Sequence, residues 1–504
     1  MAAVQDAEMQ ATAGKGLALP GLVIGLLAGL IAYGVIEYWI DGDDDAPLAI
    51  ATLFFIATAA AAWLLLVERG AFVKATLGAL AIAAFLAFPD YFIASVAGGA
   101  PDDLTPFPVI SWFVSRVLAA YLLVTLVKAG FESGIPPAYP NLFFHGLTMP
   151  LISGGAALFA GLALVLLFVW ARLFREFDVG FFNALFQEPW FLFPFLGAVG
   201  GLSIALMRGQ QAALGALRFT LLLLARIVMV ITALATLVFL VILATKGTGV
   251  IFDGPSPGAL MLALALAGML IFNGVYQNGE GGPPPLWLRL PTLVALIGFP
   301  IYAGLAFYAF YLRIDAYGLT PPRIAGLAVT GLVAAYSLVC LAGLITEINW
   351  RGKKWMPLVG PMNTAMAGLW ILVLTALATP LANPWAMSAK SQYRLLAGER
   401  IAAEDFDFGY LRFQLGADGE RALEKLSALG DHPQAGVIRD GVQRARSANS
   451  YWEYKNPGAF SAAEEKALLP QRASDGPETL PLNPQGADTG LDDPDAEPQS
   501  PEPD

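Results

Sequence analysis

The chain has 504 residues, of which 57% are hydrophobic and only 14% charged, against about 25% charged in an ordinary soluble domain. That balance excludes a water-soluble globule, whose interior could not hide so much apolar area, and makes lipid the solvent for much of the surface. The formal charge of −11 is concentrated at the end: 21 acidic and 12 basic residues follow Pro380, and so acidic a region excludes nucleic acid as a partner, because phosphate contacts need cations.

Residues 1–16 read as a short cytoplasmic N-terminus. Lys15 ahead of apolar residues resembles a signal peptide, but the run from Leu17 to Ile40 is 24 residues long, beyond the roughly 7–15 of a signal core. It is expected to be a first, retained membrane span. Ten more apolar stretches follow near 46–67, 75–97, 108–127, 147–171, 190–207, 219–245, 258–277, 292–312, 324–345 and 357–382. Each approaches the ~20 residues that cross about 30 Å of hydrocarbon at about 1.5 Å per residue. Residues 17–382 are thus predicted to form an all-α polytopic bundle of about eleven transmembrane helices. Between the fifth and sixth spans, Arg172–Pro189 places Leu173, Phe174, Phe177, Phe181, Phe182, Leu185 and Phe186 at helical spacing among Arg172, Arg175, Glu176 and Asp178. This is the pattern of a helix lying in the interface.

Past Asn383 the composition changes. Residues 383–456 carry amphipathic helical patterns, such as Ala422, Leu423, Leu426 and Leu429 opposite Glu420, Arg421, Glu424 and Lys425, and are expected to form a small helical extramembrane domain. The aromatic-rich stretch 401–415 is suited to docking that domain on the membrane part. Residues 457–504, rich in Pro, Asp and Glu, bury too little apolar surface to offset ordering entropy and are expected to be disordered. Ten basic residues in the loops of one face, including Lys15, Lys128, Arg208, Arg289 and Lys354, oppose five on the other, Arg172, Arg175, Lys246, Arg313 and Arg323. The positive-inside rule then puts the N-terminus in the cytoplasm. With eleven spans, the C-terminal tail of a bacterial inner-membrane protein lies in the periplasm.

No nucleophile motif, phosphate loop or metal-ligand spacing stands out, so no catalytic, cofactor-binding or metal residue is assigned. Cys340 is the single cysteine and the histidines are His145 and His432, too few for a disulfide or a histidine metal site. Ionisable residues at membrane depth are the stronger signal. Glu37, Asp90 and Arg116 fall in the outer halves of their spans, where Arg116 can pair with Asp90 or Glu37, as a structural ion pair or as part of a site. Arg226 follows Arg218 by two helical turns and fits the cytoplasmic interface. The loop Arg313–Arg323 contains Asp315 and Tyr317, a Gly318 suited to a left-handed turn, and Pro321-Pro322 for the first turn of the next helix. Arg323 in that first turn opposes the helix dipole, which asks for a partner such as Asp315, a lipid phosphate or an acidic substrate. The simpler reading is a rigid turn with arginines at headgroup level. Asn273, Asn363 and Thr364 suit interhelical hydrogen bonds.

Four stretches resemble a known family: Tyr139-Pro140-Asn141-Leu142-Phe143-Phe144-His145, Phe186-Gln187-Glu188-Pro189-Trp190-Phe191, the segment from Arg313 to Arg323, and Phe406-Asp407 with Tyr410-Leu411-Arg412-Phe413. Together they are similar to the bacterial inner-membrane family called domain of unknown function 4153, over roughly residues 140–430. The resemblance implies a polytopic membrane protein with a helical C-terminal region; that family has no established activity or catalytic residues to carry over. The leading functional expectation is a non-enzymatic envelope scaffold or sensor whose partners are membrane lipids and a protein engaged through the C-terminal domain. One alternative is a transporter or flippase of an amphipathic molecule, with anion contacts from Arg116, Arg313 and Arg323. The other is a membrane-embedded glycosyltransferase-like enzyme using the acidic first outer turn Asp41–Asp45.

Overall fold

The computed structural model describes residues 16–40, 46–68, 70–97, 106–249, 257–349 and 354–456. The turn Asp41–Asp45, the loop residues Arg69, Arg351 and Lys353, and the tail 457–504 lie outside the described residues.

In lipid every backbone N–H and C=O must be satisfied within its own segment, and long apolar runs therefore become helices. Among the described residues there are eleven helices long and apolar enough to cross a membrane, and no strand. They are α1 (Ala18–Val35, continued by a π-helical turn Ile36–Ile40), α2 (Ala46–Leu66), α3 (Phe72–Ala97), α4 (Pro106–Ser133), α5 (Tyr139–Arg175), α7 (Pro189–Gly209), α8 (Gln211–Lys246), α9 (Pro257–Tyr276), α10 (Leu286–Tyr317), α11 (Pro321–Asn349) and α12 (Val359–Leu377). The chain is an integral membrane helix bundle with a helical C-terminal region.

The expected interfacial helix over 172–189 is not a single helix. α5 continues to Arg175, the chain turns with Asp178 at φ 60°, and only Phe181–Leu185 (α6) is helical before Pro189 opens α7. The positive φ at Asp178 and the proline at the first position of α7 end the helical register on both sides. The phenylalanines still work together. Phe174 stacks on Phe182 at 4.4 Å, and the series continues through Phe186, Phe191 and Phe195 at 5.5–5.8 Å between ring centres.

Two apolar cores organise the bundle. One gathers α2, α3, α4 and α5 around Leu66, Ile82, Leu86 and Val124. The other gathers α8 to α12 around Phe272, Leu296, Phe299 and Val333. α12 packs on both α4 and α11 and so joins them. α1 is held almost wholly by α7, where Gly21, Gly25 and Gly29 face Gly197, Gly201 and Pro194. A Cβ at Gly25 would overlap the carbonyl oxygen of Gly197, so this contact exists only because both backbones lack side chains there.

On one face of the bundle Thr379 leads through a short 3-10 turn into the shorter C-terminal helices α13 (Pro384–Ala397), α14 (Phe408–Gln414), α15 (Gly416–Ser427), α16 (Ala435–Ser447) and α17 (Tyr451–Lys455). Asn383 caps α13 by accepting from the N–H groups of Trp385 and Ala386, with Pro384 at the first position; Asp407 caps α14 by accepting from Tyr410 N–H. Such caps satisfy donors that a helix start leaves over. The domain has its own core, including Leu396, Phe408, Leu411, Leu423 and Ile438.

Candidate functional site

The segment Arg313–Arg323, the most distinctive motif of the chain, forms the seat of the C-terminal helical domain. Gly318 adopts φ 72°, ψ −179°, a region open essentially to glycine alone. The turn exposes its carbonyls and N–H groups to α13. Leu319 N–H donates to Ser391 Oγ at 2.9 Å, Ser388 Oγ donates to Leu319 O at 2.9 Å, and Gln392 Nε2 donates to Tyr317 O at 3.1 Å. Arg400 reaches back to both the carbonyl and the carboxylate of Asp315, at 3.0 and 3.3 Å.

Of the partners open to Arg323, Asp315 is not the one used. Asp315 belongs to Arg400, while Arg323 donates to Gly318 O at 2.7 Å and lies over the Tyr317 ring at 5.7 Å. A carbonyl of the preceding turn and a ring face relieve the cation that the helix dipole leaves unfavoured. Arg313 is half-buried beside Arg323, and Tyr317 is exposed.

Asp90 and Arg116 are brought together. Arg116 Nε donates to both carboxylate oxygens of Asp90, at 2.8 and 2.9 Å. Its Nη2 donates to Thr58 Oγ1 at 2.6 Å and Phe54 O at 3.0 Å, so one guanidinium ties α2, α3 and α4. The Asp90 side chain is 1% exposed and that of Arg116 9%. The indole N–H of Trp112 lies near the carboxylate, outside hydrogen-bonding geometry. Glu37 takes no part; it is exposed on the π-helical turn.

The ion pair and the seat share one cleft. A cavity of about 360 Å³ lies between the bundle and the domain. Pro89, Asp90 and Ile93 of α3 and Trp112 and Arg116 of α4 form one wall; Pro321 and Pro322 of α11 and Leu374 of α12 form another; Trp385 and Tyr410 come from the domain. The lining is mainly apolar, and the guanidinium, the carboxylate and the Tyr410 hydroxyl are joined by Ser115, Thr320, Thr375 and Gln414 as its polar side chains. Burial pushes the Tyr410 phenol up to about 12, against hydrogen bonding to Ser388 and the nearby Arg323 charge, which lower it. Tyr410 and Ser388 hydroxyls are 3.3 Å apart. Pockets of about 300–1,000 Å³ with few polar groups are typical ligand sites.

Cations also cap the far end of α2. Lys128 donates to Leu66 O and pairs with Glu68, and Arg208 donates to Leu64 O and Val67 O. These are the last carbonyls of a helix, the position that favours positive charge. His145 pairs with Glu132 at 2.8 Å and packs edge-on to Phe144. In the second core Asn273 Oδ1 accepts from Tyr336 at 3.0 Å and Asn363 at 2.8 Å. Among the described residues no group of three or more His, Cys, Asp or Glu side chains fits a metal ion. Asp43 and Asp44, on which an enzymatic reading turns, lie outside the described residues.

Sequence reading left out three sets of residues now seen to matter. The α13 stripe Ser388, Ser391 and Gln392 carried only a helical polar spacing as signal. Trp385 and Pro384 carried none. Gly21, Gly25 and Gly29 were detectable as a repeated glycine every fourth residue. Compared with known proteins, the chain matches no family model, no curated protein and no solved structure.

Proposed function

We propose that this integral membrane protein is a non-enzymatic sensor of the bacterial inner membrane, and that its cleft receives an amphipathic, lipid-like molecule. The observation that carries the proposal is the shared ownership of the cleft: an occupant would touch α3, α4, α11 and α12 on one side and Trp385 and Tyr410 on the other. Binding there has a direct mechanical route to the domain, because the cleft borders the Gly318 turn on which α13 is seated. The mainly apolar walls suit an acyl chain, and the Arg116–Asp90 pair suits a head with both donors and acceptors.

A transporter is less well supported. Below the ion pair the first core is packed with Leu66, Ile82, Leu86, Val124, Met149 and Ile152, all buried, which leaves the cleft closed toward the opposite face. The excess of basic residues opposite the domain supports a cytoplasmic N-terminus and a periplasmic domain. The resemblance of the Arg313–Arg323 segment to the domain of unknown function 4153 family adds nothing against this reading, in which that segment is the seat of the domain.

A photoreactive fatty acid incorporated into membranes with the full-length protein tests the proposal. Crosslinks are expected in the segments 374–385 and 408–414, and Ala325→Trp, which fills the cleft, is expected to abolish them. Crosslinks confined to the lipid-exposed faces of α5 and α8, unchanged by Ala325→Trp, would refute it.

A further inference from the structure

On the face opposite the domain, the hairpin joining α9 and α10 leaves a second cavity of about 200 Å³ against α8. Arg226 is its one charged lining residue. Arg226 is exposed and makes no hydrogen bond or ion pair with a described residue. The hairpin's Glu280 lies outside the lining, hydrogen-bonded to Asn278 at 3.2 Å. Among the described residues, the charge lining the cavity is therefore positive and carried by Arg226 alone.

Its depth follows from packing. Gly274 comes so close to α8 that a Cβ there would lie 2.6 Å from the Ala225 Cβ. Arg226 is thus level with the last turn of α9, which ends at Tyr276. α9 has 20 residues, just enough for about 30 Å of hydrocarbon, so its end marks the headgroup layer. Trp287, 60% exposed at the start of α10, forms an apolar flank. Buried Trp355 holds the other side by donating its backbone N–H to Gly281 O at 3.1 Å.

We propose that this cavity binds the phosphate of an anionic phospholipid headgroup, with Arg226 as counter-ion and Trp287 against the glycerol and upper acyl region. A guanidinium fork matches phosphate geometry, Trp favours this depth of the bilayer, and an anionic leaflet supplies the ligand at high local concentration. The proposal is independent of the cleft beneath the domain.

The full-length protein, reconstituted in phosphatidylcholine vesicles containing phosphatidylglycerol and re-extracted, is examined by native mass spectrometry. The wild-type chain is expected to retain one more phosphatidylglycerol than Arg226→Gln, with retention about tenfold weaker in the variant, as for loss of one charged hydrogen bond. Trp287→Ala, which keeps the charge, is expected to weaken retention too, and Arg172→Gln on the other face is expected to change nothing. Equal retention by wild type and Arg226→Gln overturns the proposal. Displacement of the retained lipid by millimolar inorganic phosphate would overturn the lipid assignment in favour of a soluble phosphate ligand.

Discussion

Arg116 is the residue on which the membrane half of the cleft depends. It neutralises a carboxylate that is 1% exposed while bonding to two further helices. Replacing it by Met leaves Asp90 buried without a counter-charge and is expected to cost about 3–5 kcal/mol, because a broken buried pair retains the desolvation penalty of the survivor. Removing both charges, as Asp90→Leu with Arg116→Met, is expected to recover most of that loss, since apolar replacements of buried pairs are often neutral. Thermal unfolding of the single and double variants in one detergent checks both. Tyr410 acts on the domain side. Its phenol releases its proton near pH 10 when unfolded and only near 12 when folded, so its contribution to the docked state is complete below pH 10 and lost as pH rises through that window. Tyr410→Phe is expected to show a shallower loss of docking between pH 10 and 12, measured by protease release of the domain. Depth placed Arg116 within reach of Asp90 or Glu37 without choosing between them, and the fold selects Asp90. Asp315, one of the partners open to Arg323, is instead bonded to Arg400, 85 residues further along, a distance no local pattern reports.

At the scale of elements, the decisive piece is the turn between α10 and α11. Gly318→Ala meets two penalties: a backbone region costing roughly 1–3 kcal/mol for other residues, and a Cβ 2.5 Å from Leu395 Cδ1 and 3.0 Å from Ser391 Oγ. The variant is expected to keep the bundle intact while loosening α13, seen as faster amide exchange in residues 384–397 with unchanged exchange in α9. Equal slowing or speeding in both would show that the turn acts on the whole fold. The helix content of this region was legible from apolar runs, and Gly318 with Pro321 marked the turn. What the turn does was not, since its hydrogen-bond partners Ser388, Ser391 and Gln392 are ordinary polar residues on an amphipathic helix. The 172–189 segment shows the reverse: its apolar spacing was sound, but Asp178 at positive φ and Pro189 interrupt it, and the rings stack across the break.

At the scale of the molecule, hydrophobic length anticipated the eleven helices that, among the described residues, are long and apolar enough to cross a membrane, because lipid leaves the backbone almost no other way to span it. The cleft was not legible. Its walls come from five separated regions of the chain, around residues 90, 116, 321, 380 and 410, and only folding places them side by side. The central claim is that the space between bundle and domain holds an amphipathic molecule. An electron-microscopy map of the full-length protein extracted with its native lipids into nanodiscs tests that claim most directly. The expected result is elongated density between Pro321 and Trp385 whose polar end lies within hydrogen-bonding distance of Arg116 or Tyr410. A cleft closed by side chains, or holding only isolated water peaks, would contradict it.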